Sequence, residues 1–358
     1  VDVILFVCGL LLMLLPALFA GGMFGYFHRN ILVIYLPIVD RIFQETPPFG
    51  APRGTPDEGG EPIDFPASDG RILRGAYFKG HGKRRGVILF GLEFGSDRWS
   101  ARHYVQHLIE AGYDVFSFAP RSHSESETLP GYEPLHWVTE FEVDDTRAAI
   151  AYLRNRPDAD PDGIGFFGIS KGAGAGVIAG ASDPYVRCFV TDGMFGIETT
   201  TIPYMRKFFR VYNTTFPLEM IPDAYLAYVL YLAIRGMERK RGCRFASLEK
   251  AMPQIAPRAT LMIHGEGDTY IRPEMARALF AKLGGPRELW VVPGARHNQA
   301  LQIAEAEYRR RVLEFFDRYL ADLPVGETSL GSLAAAKSGP RSSPDRDRTE
   351  AVPSGSSV

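Results

Sequence analysis

Eight short apolar runs recur along the middle of the chain, at 63–65, 72–78, 87–90, 115–118, 164–167, 188–191, 260–264 and 288–292. The last six are nearly continuous in apolar residues and end in polar or Gly/Pro turns, the pattern of strands buried on both faces. The first two are joined by Ser68-Asp69-Gly70 and read as an antiparallel hairpin that opens the sheet. Helical spacing fills the gaps at 101–111, 140–154, 172–181, 273–283 and 299–320. This alternation predicts an α/β fold, a mostly parallel sheet of about eight strands with helices on both faces.

Two segments break the rhythm. The first is the N-terminus, where residues 3–27 form a run of 25 without a charged side chain. About 20 residues suffice to cross a bilayer, so residues 1–30 read as a transmembrane anchor. A cleaved signal peptide is the alternative, with 17–20 a loose cleavage site. Only Asp2 precedes the run, whereas Arg29, Arg41 and Arg53 follow it. The positive-inside rule then places the rest of this single-pass chain in the cytoplasm. A further apolar stretch at 31–39, interrupted by Pro37, is too short to span and is expected to lie at the interface or against the domain. Residues 31–61 read as a juxtamembrane segment and a Pro/Gly-rich linker, 62–325 as the globular domain, and 326–358 as a disordered tail.

The second break is the long segment 199–257 between the sixth and seventh strands. It carries Tyr204, Phe208, Phe209, Tyr212, Phe216 and an apolar run at 224–234. Eleven residues make about 16 Å of helix and do not span a membrane. The segment reads as a helical cap over the carboxyl ends of the strands.

Composition narrows the class. The 358 residues are 46% hydrophobic and 23% charged, with a net charge of −2. That describes a globular protein with no electrostatic case for a nucleic-acid partner. Cys8, Cys188 and Cys243 have neither metal-ligand nor disulfide-framework spacing.

Chemistry concentrates at the strand ends. Gly168-Ile169-Ser170-Lys171-Gly172 follows the run 164–167 and precedes a helix of small residues. A Gly-x-Ser-x-Gly run arises by chance in about one such chain in five, so its neighbours decide its meaning. Strand, sharp turn and helix put a serine at the apex of a strained elbow. Side chains at positions 168 and 172 would collide with the crossing strand and helix. A serine hydroxyl needs a base, and that base needs an orienting acid. Asp268 follows the strand 260–264 on a Gly-rich turn, and His297 follows the final strand. Asp192 and Glu266 are rival acids. His264 is expected to line the turn beneath the acid loop, and His123 and His136 to border the pocket. The loop after the third strand and the residue after the serine are expected to donate an oxyanion hole: the backbone N–H of Lys171 and that of Glu93, with Leu92 the alternative. Only the backbone is needed, which leaves the Glu93 side chain free to point away and the Lys171 side chain to face solvent.

With these motifs the chain resembles the α/β-hydrolase superfamily, most of all its serine aminopeptidase and monoglyceride-lipase-like branch and related membrane-anchored bacterial hydrolases. The likeness covers about 62–323 and rests on Ser-Asp-Gly-Arg-Ile-Leu (68–73), Gly-Ile-Ser-Lys-Gly, His-Gly-Glu-Gly-Asp (264–268) and Gly-Ala-Arg-His-Asn (294–298). It implies the α/β-hydrolase fold, a Ser170–His297–Asp268 triad and an acyl-enzyme route. The expected function is a serine hydrolase that cleaves carboxylic esters of small-molecule acyl substrates and needs no metal or organic cofactor; the apolar cap and membrane anchor favour a lipophilic acyl group. A peptidase on the same triad is the alternative, and a catalytically idle, membrane-tethered binding module a third reading. Two places depart from the family pattern. Gly91-Leu92 stands where His-Gly is usual, and 121–126 reads Arg-Ser-His-Ser-Glu-Ser in place of Arg-Gly-His-Gly-x-Ser.

Overall fold

The structure, a computed structural model, describes residues 2–44, 50–56, 59–212 and 221–322. The tail expected at 326–358 and part of the expected linker lie outside them. One long helix, α1 (Asp2–Gln44), opens the chain. The hairpin β1 (Glu61–Pro66) and β2 (Ile72–Phe78) follows. Next come β3 (Gly86–Gly91), α2 (Ala101–Glu110), β4 (Tyr113–Ala119), α3 (Glu140–Arg154), β5 (Ile164–Ile169), α4 (Ser170–Ala181) and β6 (Val186–Asp192). Helices α5 (Ile197–Tyr212), α6 (Asp223–Arg241) and α7 (Leu248–Ala251), with the 3-10 turn Met252–Ile255, separate β6 from β7 (Ala259–Gly265). The chain closes with α8 (Pro273–Phe280), β8 (Arg287–Val292), α9 (Ala300–Ile303) and α10 (Glu305–Tyr319).

All eight strands join one sheet in the order β1-β2-β4-β3-β5-β6-β7-β8. β2 is antiparallel to both β1 and β4, and every later pairing is parallel. Strand alternation explains the two layers of core. In β3, Leu89 enters the layer under α3 and α4, whereas Ile88 and Phe90 enter the layer shared with α2 and α10. Strand β3 is the switch point of the sheet, since β4 lies on one side of it and β5 on the other. Reacting groups of open α/β sheets collect at the carboxyl ends of strands at such a point.

The expected helix at 299–320 is broken. Ala304, with φ −129°, leaves the helical conformation and divides α9 from α10.

The segment 199–257 divides in two. α5 and α6 form a third apolar cluster with Trp137, Phe195 and the second half of α1, in which Val39 and Phe43 are fully buried. Leu248, Ala251, Met252 and Ile255 instead return to the main core beside α4. Within α1, Phe6–Gln44 is long and apolar enough to cross a membrane.

Candidate active site

The elbow is built by close backbone approach. Ser170 begins α4 with φ 50°, a left-handed conformation that a residue with a Cβ adopts only under constraint. A Cβ at position 168 would stand 2.6 Å from Ala173 Cα. One at position 172 would stand 2.3 Å from the Leu92 carbonyl oxygen and 2.4 Å from the Gly91 carbonyl carbon. Both glycines are therefore required, for the steric reason read from the motif. The second contact adds that the turn is wedged against the loop leaving β3.

Three distant residues meet here. Ser170 Oγ lies 3.0 Å from His297 Nε2, and His297 Nδ1 lies 2.6 Å from Asp268 Oδ2. All three are buried. Asp268 is held by its own turn, since its Oδ1 accepts the backbone N–H groups of Tyr270 (2.9 Å) and Ile271 (2.8 Å). Phe195 and Tyr270 set their rings against the His297 imidazole, at 6.4 and 5.6 Å between centroids.

The rival groups are placed elsewhere. Asp192 ends β6, fully buried, and accepts a hydrogen bond from Tyr308 at 3.0 Å. Its Oδ1 has no partner among the described residues. Burial pushes its carboxyl up to about 7, against the opposing effect of the Tyr308 hydrogen bond. Glu266 is exposed and, among the described residues, accepts the Gly294 N–H at 3.4 Å. His264 lies under the acid loop as expected, with Nε2 2.7 Å from the Ile271 carbonyl and 3.5 Å from Asp268 Oδ2. Burial lowers its pKa. His123 borders a cavity of about 20 Å³ between the β3 loop and the elbow, which Glu93 and Lys171 also line.

Two side chains depart from expectation. Lys171 does not face solvent. It is buried, with Nζ donating to the Leu135 carbonyl (2.6 Å) and to Glu142 Oε1 (2.8 Å), and 3.4 Å from His123 Nε2. Residue 171 follows the apex and points beneath the loops, where an ammonium requires a buried carboxylate. Burial opposes the charge on Glu142, but the Lys171 ammonium together with His123 and the hydrogen bonds from Lys171 and Thr139 outweighs it and holds that carboxyl at about 2. The Glu93 side chain does not point away either. Its carboxylate accepts from Tyr104 OH and from Asn298 Nδ2, each at 2.7 Å. Burial raises its pKa, while those two hydrogen bonds oppose the rise.

Glu142 and Asn298 are the residues that motif reading passed over. Glu142 had a local signal, because Thr139-x-x-Glu142 is a capping box and Thr139 N donates to Glu142 Oε2 at 2.8 Å. That signal announces a helix start and says nothing of Lys171, 29 residues away. As for the oxyanion donors, Lys171 occupies the first turn of α4, where a backbone N–H has no intrahelical acceptor. Glu93 sits on the loop that contacts that turn.

No family model matches the chain. The thiohydrolase aneE of Aspergillus aculeatus is 26% identical over 199 residues, which are 54% of this chain and 54% of that protein. The chain therefore spans about half the length of this relative. Among solved structures, the esterase Pf2001 of Pyrococcus furiosus superposes with a TM-score of 0.56 at 21% identity, over 76% of this chain and 98% of the esterase. The α/β hydrolase GrgF of a Penicillium species superposes with a TM-score of 0.55 at 17% identity, over 73% of this chain and 99% of GrgF. Sheet order, strand directions and these likenesses agree: the chain has the α/β-hydrolase fold.

Proposed function

We propose that this chain is a membrane-anchored serine hydrolase that cleaves carboxylic esters. The observation that carries the reading is the continuous hydrogen-bonded series Ser170 Oγ, His297 Nε2, His297 Nδ1 and Asp268 Oδ2, with spacings of 3.0 and 2.6 Å. Ser170 Oγ attacks the acyl carbonyl as its proton passes to His297 Nε2. The backbone N–H groups of Lys171 and Glu93 hold the oxyanion, beside a helix N-terminus that favours negative charge. Collapse expels the alcohol, protonated by His297, and leaves an acyl group on Ser170. Water then attacks this ester, giving its proton to His297; His297 passes that proton to Ser170 Oγ as the acyl–oxygen bond breaks, and the acid departs. Asp268 fixes the imidazole tautomer and stabilises the imidazolium.

The rings of Phe195 and Tyr270 beside His297 favour an apolar acyl group. The thiohydrolase relative makes thioesters a reasonable part of the substrate range. Residues 1–30 anchor the chain as a single span, and the arginines that follow keep the hydrolase domain, 62–325, on the cytoplasmic side.

Labelling by a fluorophosphonate probe tests the nucleophile. It is expected in the unmodified protein and absent in Ser170→Ala and His297→Ala; labelling that persists in Ser170→Ala sinks the assignment. A panel of p-nitrophenyl esters of graded chain length, thioesters and aminoacyl amides then ranks the substrate classes. Amide turnover above ester turnover would make the protein a peptidase on the same residues. Absence of both hydrolysis and labelling would leave a binding module.

A further inference from the structure

Outside α1, the large apolar side chains exposed among the described residues are Tyr228, Tyr231 and Ile303. Two of the three stand on α6, beside the point where α1 leaves the domain. In the first half of α1, Phe6, Leu12, Met13, Leu18, Phe19 and Phe24 are exposed. From His28 onward the helix packs on the cap. His28 Nδ1 is 2.7 Å from Tyr225 OH, its ring stacks on Tyr228 at 5.9 Å, and Asp40 lies 3.6 Å from Lys240. These pairs set α1 and α6 side by side, running in the same direction.

The height of these tyrosines follows from the span. The uncharged run ends at Phe27, so His28 and Arg29 are the first groups to require water or headgroups. Tyr225 and Tyr228, which touch His28, stand at the same level. Tyr231 is one turn further along α6, about 4.5 Å beyond Tyr228. Tyrosine is the residue type that membrane interfaces enrich, because its ring is apolar and its hydroxyl is wet. We propose that the first half of α6 is a second membrane contact, with Tyr225, Tyr228 and Tyr231 seated in the headgroup layer of the bilayer that α1 crosses. The proposal rests on the reading of α1 as a span. At the far end of α1, away from this seat, Phe43 stacks on Trp137 at 4.6 Å, Trp137 meets Phe195 at 5.4 Å, and Phe195 meets His297.

The test uses the full chain in phosphatidylcholine vesicles carrying a headgroup nitroxide. Tryptophan emission is read as the difference from the unmodified protein, in Tyr228→Trp, Tyr231→Trp and, as a control, Ile303→Trp. All three positions are exposed, so folding is not at stake. The added emission is expected to be quenched at 228 and 231 and not at 303. Equal quenching at 228 and 303 in protein that stays with the vesicles through an alkaline carbonate wash overturns the seat and leaves the span standing. Protein that washes off overturns both. Unquenched emission at 228 that shifts to the blue with rising protein concentration assigns the tyrosine face to a second copy, and also overturns the proposal.

Discussion

Lys171 Nζ and Glu142 Oε1 form a buried ion pair at 2.8 Å, one residue beyond the proposed nucleophile. The pair ties the elbow to the first turn of α3, where Glu142 also accepts from Thr139 and from Tyr132. Breaking a buried pair from one side strands a charge, at a cost of about 3–5 kcal/mol. Lys171→Met and Glu142→Gln are each expected to destabilise by roughly this amount in urea unfolding. The double variant should cost less than the sum, since the charge left in each single variant is gone. Additive single costs would show the pair to be uncoupled.

Acid should weaken the same contact. Glu142 titrates near 2 in the folded state, below its ordinary value of 4.5. Its depressed pKa contributes stability that is complete above about 4.5 and is lost as pH falls toward 2. The slope of stability against pH in this window should be smaller in Glu142→Gln than in the unmodified protein. An unchanged slope would reject the assignment.

Asp268→Asn separates orientation from folding. An asparagine Oδ1 still accepts from Tyr270 and Ile271, but Nδ2 presents a donor to His297 Nδ1 and favours the wrong tautomer. In comparable triads such a change costs about 10⁴-fold in kcat. The same loss is expected here with little change in unfolding midpoint, whereas Asp192→Asn should retain most of its activity. The reverse ranking would move the acid to β6.

Asp192 also makes a stability prediction of definite sign. Its folded pKa of about 7 lies above the ordinary 3.8, so the folded state holds a proton that the unfolded state releases. This disfavours folding progressively between pH 4 and 7, and fully above 7. Asp192→Asn keeps an acceptor for Tyr308 and removes the buried charge. It is expected to stabilise the protein at pH 8, on the order of a few kcal/mol, and to be nearly neutral at pH 4. Thermal unfolding at the two pH values decides.

Gly172→Ala should damage activity more than stability. The added methyl meets the carbonyls of Gly91 and Leu92, backbone that has no side-chain rotamer to yield. Overpacking of this kind costs about 1–3 kcal/mol. The displaced loop carries Glu93, so phosphonylation of Ser170 by the fluorophosphonate probe should slow even where the folded fraction is near complete.

What was legible in the chain was whatever is written in local pattern. Continuous apolar runs mark β3 to β8 because strands buried on both faces admit few polar residues, and the elbow shows itself because only glycine tolerates backbone contact at 168 and 172. Ser170, Asp268 and His297 were identifiable because each follows a strand, and parallel strands deliver their carboxyl ends to one edge. The partners of these residues had no such signature. Lys171 reads as a surface lysine until α3 brings Glu142 beneath it, and Glu93 reads as a loop acid until the His297 loop brings Asn298 to it from 205 residues away. The second half of α1 reads as more of an apolar anchor, yet Val39 and Phe43 fill the cap. Sequence by itself determined the order of elements and singled out the side chains of the proposed triad, because periodicity and turn chemistry act within a few residues. The tertiary structure alone decided which buried charges are compensated, because an ion pair depends on distance in space and leaves no mark on spacing along the chain.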